Sequence, residues 1–173
     1  FDEHILKSVP LYYEGHNLIC SISDHFLQND SIVYDLGCST GTLIKKLNER
    51  HSEKKIYFNG VEIEKDMVDK AKKLNKEKNV KILKKNLQNL KLRKNDFIIC
   101  YYTIQFIPPR IRQKVINKIY ESLNWGGAFL FFEKVRGPDA RFQDILTGVY
   151  NEFISNLRRI PCYFKYKTIQ CAV

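Results

Sequence analysis

The segment Asp35-Leu-Gly-Cys-Ser-Thr-Gly41 places one acid, two glycines, a thiol and two hydroxyls within seven residues. Before it stands the apolar run Ile32-Val33-Tyr34, and after it an amphipathic stretch with Leu43, Ile44 and Leu47. That order reads as strand, loop and helix, with the acid at the strand's carboxyl end, where open α/β sheets bind their ligands. Gly37 and Gly41 allow a tight turn and a close backbone approach to a ligand. A dinucleotide loop, G-x-G-x-x-G, would need glycine where Ser39 and Thr42 stand, and the phosphate loop G-x-x-x-x-G-K-[ST] does not occur. An acid at this point suits a ligand that carries positive charge better than a pyrophosphate.

Further polar side chains fall at the ends of the next strands. Glu62 closes the second one, where a carboxylate, an acceptor with two oxygens, can take ribose hydroxyls; the alternative is a solvated acid beside Lys65. Asn86 follows the third strand and offers one donor and one acceptor to an adenine edge, with Leu87 packing on the ring; Asn is equally a good turn residue. Tyr101 ends the fourth strand and either lines a pocket or belongs to the core. Glu133 and Lys134 end the fifth and read as a self-compensating pair with no assigned role. No Asp/Asn-Pro-Pro-aromatic motif follows strand four, no Ser-His-Asp or paired-carboxylate set stands out, and no side chain is singled out as catalytic.

The elements that must position these residues alternate. Apolar periodicity predicts a helix over 14–28, a strand over 31–36, a helix over 41–50, a strand over 55–62 and a helix over 66–78. Strands follow at 80–83 and 96–102. Pro108-Pro109 starts a helix, Asn124-Trp-Gly-Gly127 turns into a strand over 128–133, a helix covers 139–153, and 163–173 reads as a final strand. Alternating β and α units predict an α/β fold, a Rossmann-like doubly wound and mostly parallel sheet. The 173 residues are expected to form a single domain: a helical segment over 1–30, a ligand-binding core over 31–134 and a C-terminal part over 135–173.

Composition narrows the class. No apolar run is long enough to span a membrane, and Phe1-Asp-Glu-His does not read as a signal peptide. The five cysteines are scattered without a C-x-x-C and the four histidines are dispersed, so no metal site is expected and reduced thiols in the cytoplasm are the simple reading. The formal net charge of +10 would attract nucleic acid or small anions, but the lysines are spread without an aromatic interleave, as in a chain with a general compositional bias.

Asp35-x-Gly37-x-Ser39-x-Gly41 resembles motif I of the class I S-adenosyl-L-methionine (SAM) methyltransferases, whose cofactor has a cationic sulfonium and no phosphate. Taken with Phe1-Asp-Glu, Ser8-Val-Pro-Leu-Tyr12, Tyr34-Asp-Leu-Gly-Cys-Ser39, Thr103-Ile-Gln-Phe-Ile-Pro108, Lys118 to Gly127 and Phe132-Glu-Lys134, the chain resembles the carboxy-S-adenosyl-L-methionine synthases, formerly called tRNA (5-oxyacetyl-uridine) methyltransferases. The resemblance covers about residues 1–153. It implies a transferase that turns SAM and prephenate into carboxy-SAM and phenylpyruvate: prephenate loses CO2, and the deprotonated SAM methyl captures it. The product then serves modification of the wobble uridine of tRNA. It further implies a homodimer, SAM, carboxy-SAM or S-adenosylhomocysteine as the bound nucleoside, and no required contact between this chain and tRNA.

By motif, the resemblance assigns Tyr12 to the cofactor's carboxylate end and Gly37, Cys38 and Ser39 to its methionine and sulfonium region. Glu62 and Ile63 fall to ribose and adenine, Asn86 and Leu87 to adenine, and Tyr101 to the place where the family usually has Asn. Glu62 and Asn86 stand where the family usually has Asp, and Trp125 replaces a Pro. Several family residues between Glu3 and Ser8, and an Arg-bearing segment after Phe153 that holds the carboxylate of carboxy-SAM, have no counterpart here; the expectation is that the chain joins segments that are separate in a longer protein, the alternative being a true deletion. Lys7 is a candidate partner for an anion. Two other readings remain: a SAM-dependent methyltransferase acting on tRNA or a small molecule, and a non-catalytic SAM-fold binding protein.

Overall fold

Ile32-Val33-Tyr34-Asp35-Leu36 is buried along almost its whole length, and so is Asn95–Tyr101. Strands covered on both faces belong to parallel sheets with helices above and below. The computed structural model, which describes residue 5 and residues 8–159, has that architecture. Its strands are β1 (Ile32–Leu36), β2 (Tyr57–Glu62), β3 (Val80–Lys84), β4 (Asn95–Tyr101) and β5 (Leu123–Phe132), all parallel, in the order β3-β2-β1-β4-β5. The helices are α1 (Tyr12–Ser23), α2 (Thr42–Arg50), α3 (Lys65–Leu74), α4 (Pro109–Ser122) and α5 (Ala140–Arg159). Short 3-10 turns lie at Leu87–Asn89 and Ile104–Phe106.

The predicted alternation of elements is present, with shifted ends. The first helix stops at Ser23 rather than residue 28, because Ser23 Oγ turns back to the Cys20 carbonyl at 2.6 Å and meets His51 Nε2 at 2.7 Å. Competition of a side-chain hydroxyl with the helix ladder ends helices in this way. The helix predicted over 66–78 ends at Leu74, and Asn75 Nδ2 donates to the Ala71 and Gly41 carbonyls. Pro109 stands in the first turn of α4, as its missing N–H allows. The Asn124-Trp-Gly-Gly turn is instead part of β5, which starts at Leu123 opposite Asn95 and carries a register shift between Asn95 and Phe97. Asp96 secures that irregular start by accepting from Ile32 N at 2.8 Å and Asn124 Nδ2 at 2.7 Å. The strand predicted over 163–173, the Phe1-Asp-Glu string and Lys7 lie outside the described residues.

Contacts divide the chain into two compact units. The larger, Tyr13–Val135, holds the sheet. One of its layers packs Tyr34, Leu36, Val61, Ile98 and Cys100 of the sheet with Val115 and Ile119 of α4. Val33, Phe58, Phe97 and Ile99 alternate with these along the strands and so face the other layer. The smaller unit joins Phe1–Tyr12 with Arg136–Val173 and includes α5; Asp139 Oδ1 caps its first turn at Phe142 N, 2.9 Å, and Tyr150 Oη donates to the Ser8 carbonyl at 3.0 Å. No helix among the described residues is long and apolar enough to cross a membrane.

Gly60 in β2 leaves no room for a side chain beneath the loop that follows β1. A Cβ there would lie 2.6 Å from Ile44 Cδ1, 2.8 Å from Cys38 Sγ and 2.8 Å from Ile82 Cδ1. Gly60→Ala is therefore expected to destabilise the protein by ~1–3 kcal/mol through overpacking. Urea unfolding checks this, and an unchanged midpoint would contradict it.

Candidate functional site

β1 is the strand at which the sheet reverses. Its Asp35 pairs with Gly60 of β2 on one side and Ile99 of β4 on the other. The loops leaving β1 and β4 then diverge to opposite faces and open a crevice at the carboxyl end. The β1 loop has three left-handed residues, Gly37 (φ 83), Ser39 (φ 49) and Gly41 (φ 77). Gly37 N and Cys38 N donate to the Val61 carbonyl at 2.7 and 3.1 Å, which folds the loop over the end of β2. Gly37 cannot carry a side chain, since its Cβ would sit 2.4 Å from Thr103 Oγ1. At Gly41 a Cβ would come within 2.5 Å of Asn75 Nδ2, whose hydrogen bond to the Gly41 carbonyl pins the loop's far end.

Carboxylates surround this loop. Asp35 is 2 % exposed and its Oδ1 has no hydrogen-bond partner. Burial, with the Glu62 carboxylate adding to it, pushes the Asp35 pKa up to about 7. A buried acceptor without a partner is costly and calls for a physical reason, such as a ligand, an ion or a water that satisfies it. Glu62 Oε2 accepts from Ser39 N at 2.9 Å, and its Oε1 from Ile63 N at 2.7 Å and Glu64 N at 3.1 Å. With about two acceptor positions per oxygen, Oε1 is filled and Oε2 retains one for a hydroxyl. Burial, then Asp35 and Glu62, raises the Cys38 thiol far above its ordinary range; burial, then Asp35 and Glu133, does the same at Cys100. Neither thiol is a nucleophile at neutral pH.

Gly37, Cys38, Ser39, Glu62, Ile63, Asn86, Leu87 and Tyr101 all lie in the larger unit, and Leu87 packs against the core layer under α4. Glu62 pairs with Lys84 at the ends of β2 and β3, which sets Asn86 two residues beyond on the adjacent strand. Asn86 Oδ1 accepts from Gln88 N at 2.8 Å and caps the turn that contains Leu87. Ile63 is 51 % exposed, an apolar side chain at the crevice edge. Tyr101 is buried against His16, ring centroids 4.7 Å apart, and against Phe132 at 5.1 Å; its hydroxyl abuts Gly15 of α1. Tyr12, the first residue of α1, belongs to the smaller unit. Glu133, read from sequence as a self-compensating pair with Lys134, accepts from three backbone N–H groups of the β4 loop, Thr103, Ile104 and Gln105. Only the Thr103-Ile-Gln-Phe string hinted at that loop, and no local pattern pairs it with residue 133.

An acid-lined, glycine-floored crevice at a switch point fits a cationic nucleoside, and comparison with known proteins agrees. A family model described as a methyltransferase domain matches residues 33–127. The carboxy-S-adenosyl-L-methionine synthase of Staphylococcus epidermidis is 34 % identical over 161 residues, covering 88 % of this chain and 67 % of its own length. The chain belongs to the carboxy-S-adenosyl-L-methionine synthase family. Curated relatives are longer, and the chain spans 65–71 % of those compared. Among solved structures, the YcgJ protein of Bacillus subtilis superposes with a TM-score of 0.61 at 21 % identity, over 85 % of this chain and 58 % of that one. A SAM-dependent methyltransferase of Mesorhizobium loti gives 0.53 at 17 % identity, over 64 % and 50 %. The fold is that of the class I SAM methyltransferases. As a member of this family the chain is a transferase, and SAM is its cofactor. The buried Asp35 acceptor, which has no partner, fits that group.

The raised Asp35 pKa has a sign. A carboxyl with a pKa near 4 in the unfolded chain and about 7 in the folded one keeps more protons when folded. Its contribution to stability is therefore full below pH ~4 and is lost as pH rises through ~7, at up to ~1.4 kcal/mol per pH unit. Without ligand, Asp35→Asn is expected to flatten the pH dependence of unfolding between pH ~4 and ~7 relative to the wild type. Parallel urea titrations of the two proteins check this; equal slopes would show that Asp35 titrates normally.

Proposed function

We propose that this protein converts SAM and prephenate into carboxy-SAM and phenylpyruvate, the product going to modification of the wobble uridine of tRNA, and that it works in the cytoplasm as a homodimer. Family membership supports the reaction. The observation that carries the site is the unpartnered Asp35 Oδ1 beneath the Gly37–Ser39 loop. In this reading Gly37, Cys38 and Ser39 face the methionine and sulfonium part. The single open acceptor on Glu62 Oε2 takes a ribose hydroxyl, and Ile63, Leu87 and the Asn86 amide flank the adenine. When bound, the sulfonium acidifies the methyl group beside it.

What the chain does is mostly electrostatic and spatial. Asp35 and Glu62 offset the positive charge, a preorganised arrangement that needs no nucleophile. The thiols stay protonated and inert. The net charge of +10 lies elsewhere, much of it on exposed lysines of α3 and the segments after it, and favours the approach of a dicarboxylate such as prephenate.

Mass spectrometry of the nucleoside that co-purifies with the protein tests the reading, followed by incubation with SAM and prephenate. The expected species is heavier than SAM by the mass of CO2, with phenylpyruvate released in step. Methyl transfer to tRNA or a small molecule without prephenate would overturn the synthase reading in favour of an ordinary methyltransferase.

A further inference from the structure

Glu133 is the last strand-end carboxylate, and the chemistry above does not use it. It follows β5 directly, and both its oxygens are engaged by one short stretch of chain. Oε1 accepts from Thr103 N at 3.0 Å and Ile104 N at 2.6 Å, and Oε2 accepts from Gln105 N at 3.1 Å. These N–H groups open the turn Ile104–Phe106, whose own cap residue, Thr103, makes no side-chain capping bond. A carboxylate from a different strand thus does the capping, with charge-assisted bonds.

The stretch it holds is under tension. Tyr102, just before it, has φ 55, a left-handed conformation that a bulky aromatic residue rarely adopts. Such a backbone persists only where its surroundings over-determine it. Tyr102 N donates to the Phe132 carbonyl at 2.8 Å, Glu133 takes the next three N–H groups, and Thr103 Oγ1, Gln105 Nε2 and Arg112 Nη2 donate to the Tyr101, Tyr102 and Gln105 carbonyls. The same turn presses Thr103 against Gly37, where the approach leaves no room for a Cβ. A chain of contacts therefore runs from the end of β5, through the β4 loop, to the floor of the β1 loop.

We propose that Glu133 is a positioning residue: by holding the N–H groups of Thr103–Gln105 it sets the Thr103 side chain against Gly37 and so fixes the half of the crevice that receives the methionine and sulfonium end of the cofactor. The proposal rests on the SAM reading of the site. It assigns Glu133 to one half of the ligand only, because Glu62 and Asn86, on the far side, are held by separate backbone contacts.

Glu133→Gln keeps the shape but removes the charge and places an amide N–H against a backbone N–H. Calorimetric titration with S-adenosylhomocysteine and with adenosine, alongside amide hydrogen exchange, tests it. Glu133→Gln is expected to weaken S-adenosylhomocysteine about tenfold or more, to leave adenosine unchanged, and to speed exchange at Thr103, Ile104, Gln105 and Gly37. Unchanged S-adenosylhomocysteine affinity, or equal losses for both ligands, overturns the proposal, since a merely structural role would weaken both alike. Should the variant not fold, exchange in the wild type decides: joint protection of Gly37 and residues 103–105 by S-adenosylhomocysteine supports it, and no change at 103–105 overturns it. A wild-type protein that binds neither SAM nor S-adenosylhomocysteine would instead sink the cofactor reading, and exchange at Gly37 in the variant would still decide the positioning.

Discussion

The hydrogen-bonding of β1 on both flanks is the constraint on which the rest depends. Because β2 and β4 both pair with it in parallel, the chain must leave its end and that of β4 in opposite directions. That divergence makes the crevice, and it also buries the acid near the strand's carboxyl end. Asp35 cannot reach water, and the loop above it cannot rise, since Val61 receives two of its N–H groups. Burying a carboxylate there is unfavourable for the empty fold. The arrangement makes physical sense for a ligand that brings positive charge.

The site and the surface have opposite electrostatic character. The whole chain carries a formal +10, yet the strand ends gather Asp35, Glu62 and Glu133 around two protonated thiols. Exposed charges are screened within about a Debye length of ~8–10 Å, whereas buried ones are not. The buried Asp35 and the partly buried Glu62 and Glu133 therefore act at close range in the crevice, while the exposed lysines are screened from it.

Much of this was legible in the sequence because it is local. The β-branched run before Asp35, the glycines after it and the Pro pair at 108–109 each fix their own stretch of backbone, and the order of elements follows. What escaped is non-local. Helix α1 ends early because Ser23 meets His51, 28 residues away in sequence. β5 starts early because Asp96 and Asn95 reach the segment 122–124 and draw a glycine-rich turn into the ladder. Glu62 looked able to accept two ribose hydroxyls; three backbone N–H groups leave it one position. In the sequence Glu133 reads only with its neighbour Lys134, and the backbone groups it also holds lie about 30 residues back along the chain.

The β1 loop is held from several directions before any ligand arrives: Val61 beneath, Glu62 at Ser39, and Asn75 at Gly41. A loop so restrained has little conformational entropy left to lose on complex formation. Association need not wait for a rearrangement, so capture should proceed at a rate set by diffusion and orientation, and differences in affinity among related nucleosides should appear as differences in residence time. The same rigidity has an evolutionary side. Side chains at 37, 41 and 60 would force their neighbours to shift, so variation in ligand preference enters more readily through the residues that rim the crevice than through the loop itself.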